Sequence, residues 1–327
     1  MGMLNRSAVS AQSSVSATFF LAIAVGAAFA QAAAPIQTPA PATQTSAPSI
    51  TTLKVDSKLV AVGAIVRDKD GKPISGLTRD SFLLKEDGKP QQLRYFSQGS
   101  DLPLTLALMV DTSGSQRGYI RDEIAAGRAF FPTMLTQPED RAVLVQFDNN
   151  ILQLVHITNS VTTLVHGLAY LTQPHGDIAS VGRGGGTLLF DAICAVSKIE
   201  FSNQFGRRAM VILTDGGDNG SRFSAKDAIR EAQRADIMIY SVYYSDGGGD
   251  IGILNVLSKA TGGRVFTVSA STTLAQIYAE IADDMRLQYE IGYHPPDSRT
   301  NKYHKIDLRT TDKGLIVQAR EGYFTPK

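Results

Sequence analysis

The sequence predicts an α/β protein: a doubly wound, mostly parallel sheet with one antiparallel edge strand, plus a small β-sandwich built from segments before and after it. Three observations carry this. Uncharged apolar runs such as residues 104–110 and 209–213 have the pattern of strands buried on both faces of a parallel sheet. Strand and helix signals alternate from about residue 101 to 287. The flanking segments, 51–98 and 288–327, instead show short strands joined by polar turns.

Length and composition bound the reading. The chain has 327 residues, room for one large or two modest domains, and its 43% hydrophobic content supports a real core. Net charge is +1 and no basic block interleaves with aromatics, so nothing points to nucleic acid. Residues 1–30 read as a secretory signal peptide. Arg6 precedes an apolar stretch at 17–28, and Ala28-Phe29-Ala30 is a cleavage pattern, with cleavage expected after Ala30. That run is too short to span a bilayer as a helix. An uncleaved anchor is the alternative, and is the only membrane link expected. No Cys follows the run, so a lipoprotein signal is absent. Residues 31–50, rich in Ala, Pro and Thr, read as a disordered linker. The single cysteine, Cys194, allows no intramolecular disulfide and sits among apolar residues of an expected helix as a buried, inert thiol. Export without disulfides points to a bacterial secreted, periplasmic or cell-envelope protein.

The first flanking segment carries strands at 59–66, 82–86 and 92–96. Its turns are Asp68-Lys69-Asp70-Gly71-Lys72-Pro73 and Glu86-Asp87-Gly88-Lys89-Pro90. The first turn has the carboxylates of a calcium loop but lacks the downstream Glu of an EF-hand, so a plain hairpin is expected. The central part continues with a helix at about 117–135, with Ile120, Ile124, Phe131 and Leu135 on its inner side. A strand at 141–147 turns through Asp148-Asn149-Asn150 into an antiparallel edge strand at 151–155, followed by a helix near 162–171. Beyond the polar loop 172–186 come a helix at 188–199, the strand at 209–213, a helix at 225–235 and a strand at 237–242. A helix at 253–260 stops at Gly263, a strand spans 264–268, and Thr272 caps a final helix with Leu274, Ile277, Ile281 and Met285 in register. The tail adds strands at 288–293, 303–308 and 315–319. Each flank is too small to hold a core comfortably, so the two are expected to pair into one sandwich with the central domain inserted between them.

Three segments of the central part bring oxygen donors to strand ends, where open α/β sheets bind ligands. Asp111, Ser113 and Ser115 alternate in D-T-S-G-S after the first apolar run. Thr187 follows Gly184-Gly185-Gly186 at a helix start, and Asp215 lies in Thr214-Asp215-Gly216 after the second apolar run. Each segment alone is an ordinary turn or N-cap. Together they offer two carboxylates and three hydroxyls, a donor set suited to Mg²⁺ or Mn²⁺. The glycine loop lacks the Gly-Lys-Ser/Thr ending of a P-loop, so no nucleotide is expected.

This set, D-x-S-x-S, then Thr after glycines, then T-D-G after a strand, resembles the metal-ion-dependent adhesion site (MIDAS) of the von Willebrand factor type A (VWA) family. The resemblance covers about residues 102–287. It implies a bound Mg²⁺, or Mn²⁺, with Ca²⁺ a further option, and Asp111, Ser113, Ser115, Thr187 and Asp215 as the metal residues. Ser113, Ser115 and Thr187 are implied as direct ligands, with Asp111 and Asp215 binding directly or through water. It further implies a protein partner whose Asp or Glu completes the octahedron, and a final helix that can shift on ligand binding. Integrin β chains place such a domain between halves of a sandwich in a similar way. The flanks look like those of exported "VWFA-related" proteins of acidobacteria.

Two other readings stay open. One is a structural or scaffolding envelope protein whose metal site is unused. The other is a metal-dependent hydrolase, or a phosphatase with an aspartyl nucleophile. The third position of the Asp111 loop is Ser113 where haloacid-dehalogenase-like phosphatases have Asp, and no G-x-S-x-G elbow is present. The five histidines, at 156, 166, 175, 294 and 304, show no metal or triad spacing. The expectation is therefore a binding module and not an enzyme.

Overall fold

Among the described residues the chain begins with β1 (Val60–Arg67), β2 (Phe82–Glu86), β3 (Lys89–Gln91) and β4 (Leu93–Gln98). The central domain follows as β5 (Leu104–Asp111), α1 (Ile120–Met134), β6 (Arg141–Phe147), β7 (Ile151–Thr158), α2 (Val161–Gly167) and α3 (Leu189–Ile199). It continues with β8 (Arg207–Thr214), α4 (Ala225–Arg234), β9 (Met238–Tyr244), α5 (Ile251–Thr261), β10 (Val265–Val268) and α6 (Leu274–Leu287). The tail supplies β11 (Tyr289–Tyr293), β12 (Tyr303–Thr310), β13 (Ile316–Ala319) and β14 (Gly322–Phe324). The structure is a computed structural model and describes residues 59–98, 102–171, 186–201, 204, 206–244, 248–296 and 301–325. The expected signal peptide (1–30), the linker (31–50), Gly184, Gly185 and most of the loop at 172–186 lie outside these residues.

The central sheet has the order β10-β9-β8-β5-β6-β7, and only β7 runs antiparallel to its neighbour. β5 sits in the middle and is buried along its whole length, which is why its sequence is apolar without alternation. Leu104, Leu106, Leu108 and Val110 face a core that includes Phe130 and Phe131 of α1 and Ile277 and Ile281 of α6. Ala107 and Met109 face the opposite core, with Ile193 of α3, Ala228 of α4 and Leu254 of α5. Helices on both faces make the sheet doubly wound.

The flanks form two four-stranded sheets, β13-β1-β11-β4 and β14-β12-β2-β3. Val62, Ala64, Val66, Phe82, Leu84, Tyr289, Ile291, Ile306 and Leu308 pack between them. β11 pairs with both β1 and β4, so the tail completes a sheet begun before the central domain. β1 has two apolar faces: Val62, Ala64 and Val66 belong to the sandwich core, while Ile65 belongs to the core of the central domain. Its uninterrupted apolar run has that cause.

The two layers are also joined by charge. Asp284 near the end of α6 is fully buried, with Arg67 of β1 at 2.5 Å and Arg264 at 3.2 Å. Arg320, between β13 and β14, pairs across the same junction with Asp236 at 2.9 Å, while within the central domain Arg207 at the start of β8 donates to the Met285 carbonyl at 2.5 Å. Burial still holds the Asp284 carboxyl above its ordinary range, against both arginines.

Several expectations shift by a few residues for identifiable reasons. α1 starts at Ile120, because a 3₁₀ turn at Gly114–Gln116 comes first. Its buried face is Ile120, Glu123, Gly127, Phe130, Phe131 and Met134, while Ile124 and Leu135 are only half-buried. The final helix is capped by Thr273, whose hydroxyl accepts from the Gln276 N–H in a capping box, and not by Thr272. α5 ends at Gly262, which takes the left-handed conformation at φ 86°, one residue before the expected Gly263. In the second turn only Asp87-Gly88 bends, and Lys89–Gln91 already pairs as β3, an edge strand that tolerates Pro90. The closing Gly322–Phe324 is a strand the pattern did not announce. The Asp68 turn is a plain hairpin: Asp68 Oδ1 accepts from the N–H groups of Asp70 and Lys72.

Candidate metal centre

β5 and β8 are adjacent and parallel, with Val110 opposite Leu213. Their carboxyl ends therefore bring Asp111 beside Thr214 and Asp215. Asp111 is fully buried. Its Oδ1 accepts from the Ser113 N–H at 2.9 Å and its Oδ2 from the Thr214 hydroxyl at 2.6 Å. Ser113 is extended and leads into the 3₁₀ turn, which swings Ser115 toward Asp215. The Ser115 hydroxyl donates to Asp215 Oδ2 at 2.6 Å and lies 3.3 Å from the Ser113 hydroxyl. Asp215 Oδ1 accepts from the Gly217 N–H at 2.8 Å.

Four of the five residues expected from sequence thus form one bonded set. Thr187, buried on the same rim, arrives by another route. Its N–H donates to Asn219 Oδ1 at 2.7 Å, its carbonyl accepts from the Asn219 N–H at 3.3 Å, and the next N–H, of Leu188, donates to the Asp148 carbonyl. Asn219 follows Asp215 closely in the chain and so ties the Thr187 segment to the Asp215 loop. Asp218 accepts from the Phe190 N–H and the Ser221 hydroxyl, a turn and capping role.

Glycine has a specific task at one point. Gly249, at φ 86°, lets the next loop close on Asp215: a Cβ there would lie 2.0 Å from the Asp215 carbonyl oxygen. The Asp250 N–H donates to that carbonyl, and the Asp250 side chain caps α5 by accepting from the Ile253 N–H.

The electrostatics are one-sided. Burial pushes the Asp111 carboxyl up to about 6, against its hydrogen bonds from Thr214 and Ser113, and the charge of Asp215 adds to the rise. Glu123 of α1 is buried with neither oxygen hydrogen-bonded. Burial, and then the charge of Asp111, hold it well above the carboxylate range. The neighbouring Tyr244 hydroxyl opposes that rise without making a hydrogen bond of ordinary geometry. No Lys or Arg forms an ion pair with Asp111 or Asp215 among the described residues.

Sequence reading passed over three neighbours. Asp148, taken as a turn residue, is a third strand-end carboxylate, with Oδ1 accepting from the Asn150 N–H and Oδ2 buried without a partner. Gln116 is fully buried with both side-chain polar atoms unpaired, and so is the Thr112 hydroxyl. Their positions beside Ser113 and Ser115 were visible, but their burial was not.

A donor set of carboxylates and hydroxyls, with buried oxygens left unpaired and no basic residue among the described residues neutralising the acids, fits a hard divalent cation. Asp111, Ser113, Ser115, Thr187 and Asp215 are the residues that would hold it.

Comparison with known proteins gives the family. The model of the von Willebrand factor type A domain matches residues 106–280. No curated protein matches the chain. Among solved structures, the vWF domain of the type V pili tip protein Mfa5 from Porphyromonas gingivalis is 16% identical. That match covers 56% of this chain and 94% of the other, with a TM-score of 0.43. A von Willebrand factor type A protein from Catenulispora acidiphila is 10% identical over 84% of this chain and 76% of its own, with a TM-score of 0.48. Proximal thread matrix protein 1 from the mussel byssus, solved with a zinc-occupied MIDAS motif, is 15% identical over 61% and 49%, also at 0.48. The family match spans more than half of the chain, and the chain belongs to the von Willebrand factor type A domain family.

Proposed function

We propose that this protein is an exported, metal-dependent protein-binding module. In this reading a divalent cation, Mg²⁺ or Mn²⁺ with Ca²⁺ also accepted, binds at Asp111, Ser113, Ser115, Thr187 and Asp215. A partner protein then supplies an Asp or Glu side chain to complete its coordination. VWA domains commonly mediate protein–protein interaction and hold a metal. The observation that carries the reading is the buried acid set at the ends of β5 and β8, bonded to hydroxyls and N–H groups and to no basic side chain among the described residues.

The chain's own residues have distinct parts. The hydroxyls of Ser113, Ser115 and Thr187 offer neutral oxygens. Asp111 and Asp215 orient those of Thr214 and Ser115 and supply the charge. A bound cation would act as an electrophile toward an incoming carboxylate, and few direct negative ligands keep it so. α6, the helix expected to respond to ligand, is tied through Asp284 to Arg67 of the sandwich, so a shift of that helix must carry or break this pair. The signal pattern at residues 1–30 supports an extracytoplasmic location. No helix among the described residues is long and apolar enough to cross a membrane.

The test is calorimetric titration of the mature protein with Mg²⁺, Mn²⁺ and Ca²⁺, beside Asp111→Ala. Saturable binding that disappears in the variant is the expected result. It would be followed by metal-dependent capture of an acidic peptide ligand. Absence of binding by the wild type at millimolar metal, with and without that peptide, would leave the scaffolding reading in its place.

A further inference from the structure

Outside the rim, one set of metal-ligating side chains converges among the described residues: Glu86, Asp87 and His304. Glu86 ends β2, Asp87 opens the Asp-Gly turn, and His304 lies on β12, which pairs with β2. His304 Nδ1 lies 3.1 Å from Glu86 Oε1 and 3.0 Å from Asp87 Oδ2. Adjacent ligands held about 2.1 Å from one metal ion lie roughly 3.0 Å apart at right angles and roughly 3.4 Å apart in a tetrahedron. The two contacts to the ring nitrogen are near that spacing, and all three ligand atoms lie within 4.8 Å of one another, close enough to share one ion.

We infer that Glu86, Asp87 and His304 form a second divalent-metal site, in the sandwich, that takes a zinc-class ion through Glu86 Oε1, Asp87 Oδ2 and His304 Nδ1. Four features support this. Two carboxylate oxygens face a single ring nitrogen. A proton on Nδ1 lies along one N–H axis and serves one acceptor well, whereas an ion between the three atoms serves all of them. Two carboxylates and a neutral imidazole balance a 2+ charge, and imidazole selects zinc-like ions over Mg²⁺ and Ca²⁺.

The remaining oxygens are already held in place. Glu86 Oε2 accepts from the Tyr293 hydroxyl at 2.6 Å and the Tyr323 hydroxyl at 3.3 Å, and Asp87 Oδ1 accepts from the Lys305 N–H at 2.9 Å. Such outer contacts are what orient metal ligands. Finally, Glu86 and His304 are buried while the Asp87 side chain is 42% exposed, which leaves an entry path and room for water ligands. His304 Nε2 is buried without a partner. This holds for a protonated ring and a metal-bound ring alike, so it favours neither.

The competing occupant is a proton, giving a His304 imidazolium between two carboxylates. The site shares no residue with the rim, so its test is run with the rim disabled, in full-length mature protein carrying Asp111→Asn and Asp215→Asn. The probe is Co²⁺, whose visible absorption reports nitrogen-oxygen coordination, with Zn²⁺ as competitor. We expect one equivalent to bind with a saturable visible band, Zn²⁺ to displace it, and added Asp87→Asn to weaken it at least tenfold. Asp87 is half exposed, and Asn tolerates its φ of 49°, so that variant keeps the fold. Adding His304→Gln should abolish the band. No band and no Zn²⁺-induced rise in Tm would overturn the proposal, as would a band unchanged by Asp87→Asn. So would an NMR spectrum showing His304 doubly protonated and indifferent to Zn²⁺.

Discussion

Asp111 and Asp284 are both fully buried carboxylates of the central domain, one at each end of the sheet, and their surroundings are opposite. Asp284, at the amino end, has two arginines, one of them from the sandwich. Asp111, at the carboxyl end, has a hydroxyl and an N–H and no basic partner among the described residues. Both carboxyls are raised by burial. Among the described residues, the chain brings its own cations to the amino end of the sheet and none to Asp111 at the carboxyl end, where the proposed metal would sit. A buried acid therefore says little by itself; what neutralises it says whether it serves the fold or the function.

The sharpest way to break this comparison is to neutralise each acid in turn. Asp284→Asn leaves Arg67 and Arg264 without their buried counter-charge, and such a loss costs about 3–5 kcal/mol. Urea unfolding should show that drop, with no recovery on adding Mg²⁺. The junction also contains one acid that refines the contrast. Glu290 is pushed up to about 8 by burial and then by the charge of Asp236, with Arg320, Arg208 and Arg207 opposing. Its folded-state value lies above the unfolded 4.5, so the folded state holds a proton that the unfolded state has lost, and stability falls as pH rises between those values. Glu290→Gln should flatten that slope and stabilise the protein at pH 8 by about 1–2 kcal/mol, read from denaturation at several pH values.

At the rim the sign should reverse. Asp111→Asn removes a buried charge that has no basic partner among the described residues, keeps one acceptor oxygen for the Ser113 N–H, and offers an amide N–H to the Thr214 hydroxyl oxygen in place of the second acceptor. In metal-free buffer it should leave stability unchanged or raise it by about 1 kcal/mol, and it should abolish the Mg²⁺-induced rise in Tm. A loss of several kcal/mol in EDTA would show that Asp111 is a structural residue like Asp284. The smallest effect is expected at Asp250→Ala, which removes the α5 cap and loosens the loop held on Asp215. The cost is about 1 kcal/mol by thermal unfolding, with weaker metal binding in calorimetry.

Much of this was legible in the sequence because the relevant patterns are local or periodic. The buried strands announced themselves as apolar runs, and Asp111, Ser113, Ser115 and Asp215 stand at their ends, where parallel neighbours force them together. Thr273 was missed as the cap because Thr272 is an equally good cap residue; only the bond to Gln276 separates them. Arg67 and Asp284 lie 217 positions apart and look like ordinary surface charges until the two layers close on them. His304 looked isolated for the same reason. Its partners are at the end of β2 and in the turn that follows, and only the pairing of β2 with β12 brings Glu86 and Asp87 beside it.

The place of insertion has a consequence for how the chain folds. β4 and β11 are hydrogen-bonded neighbours, with Gln98 opposite Tyr289, yet roughly 190 residues separate them. Closing a flexible loop of that length costs about 4 kcal/mol more in chain entropy than closing a two-residue hairpin. Once the central domain has folded, its β5 and α6 hold the two ends and most of that cost is gone. The sandwich is thus expected to assemble second, with the inserted domain acting as its turn.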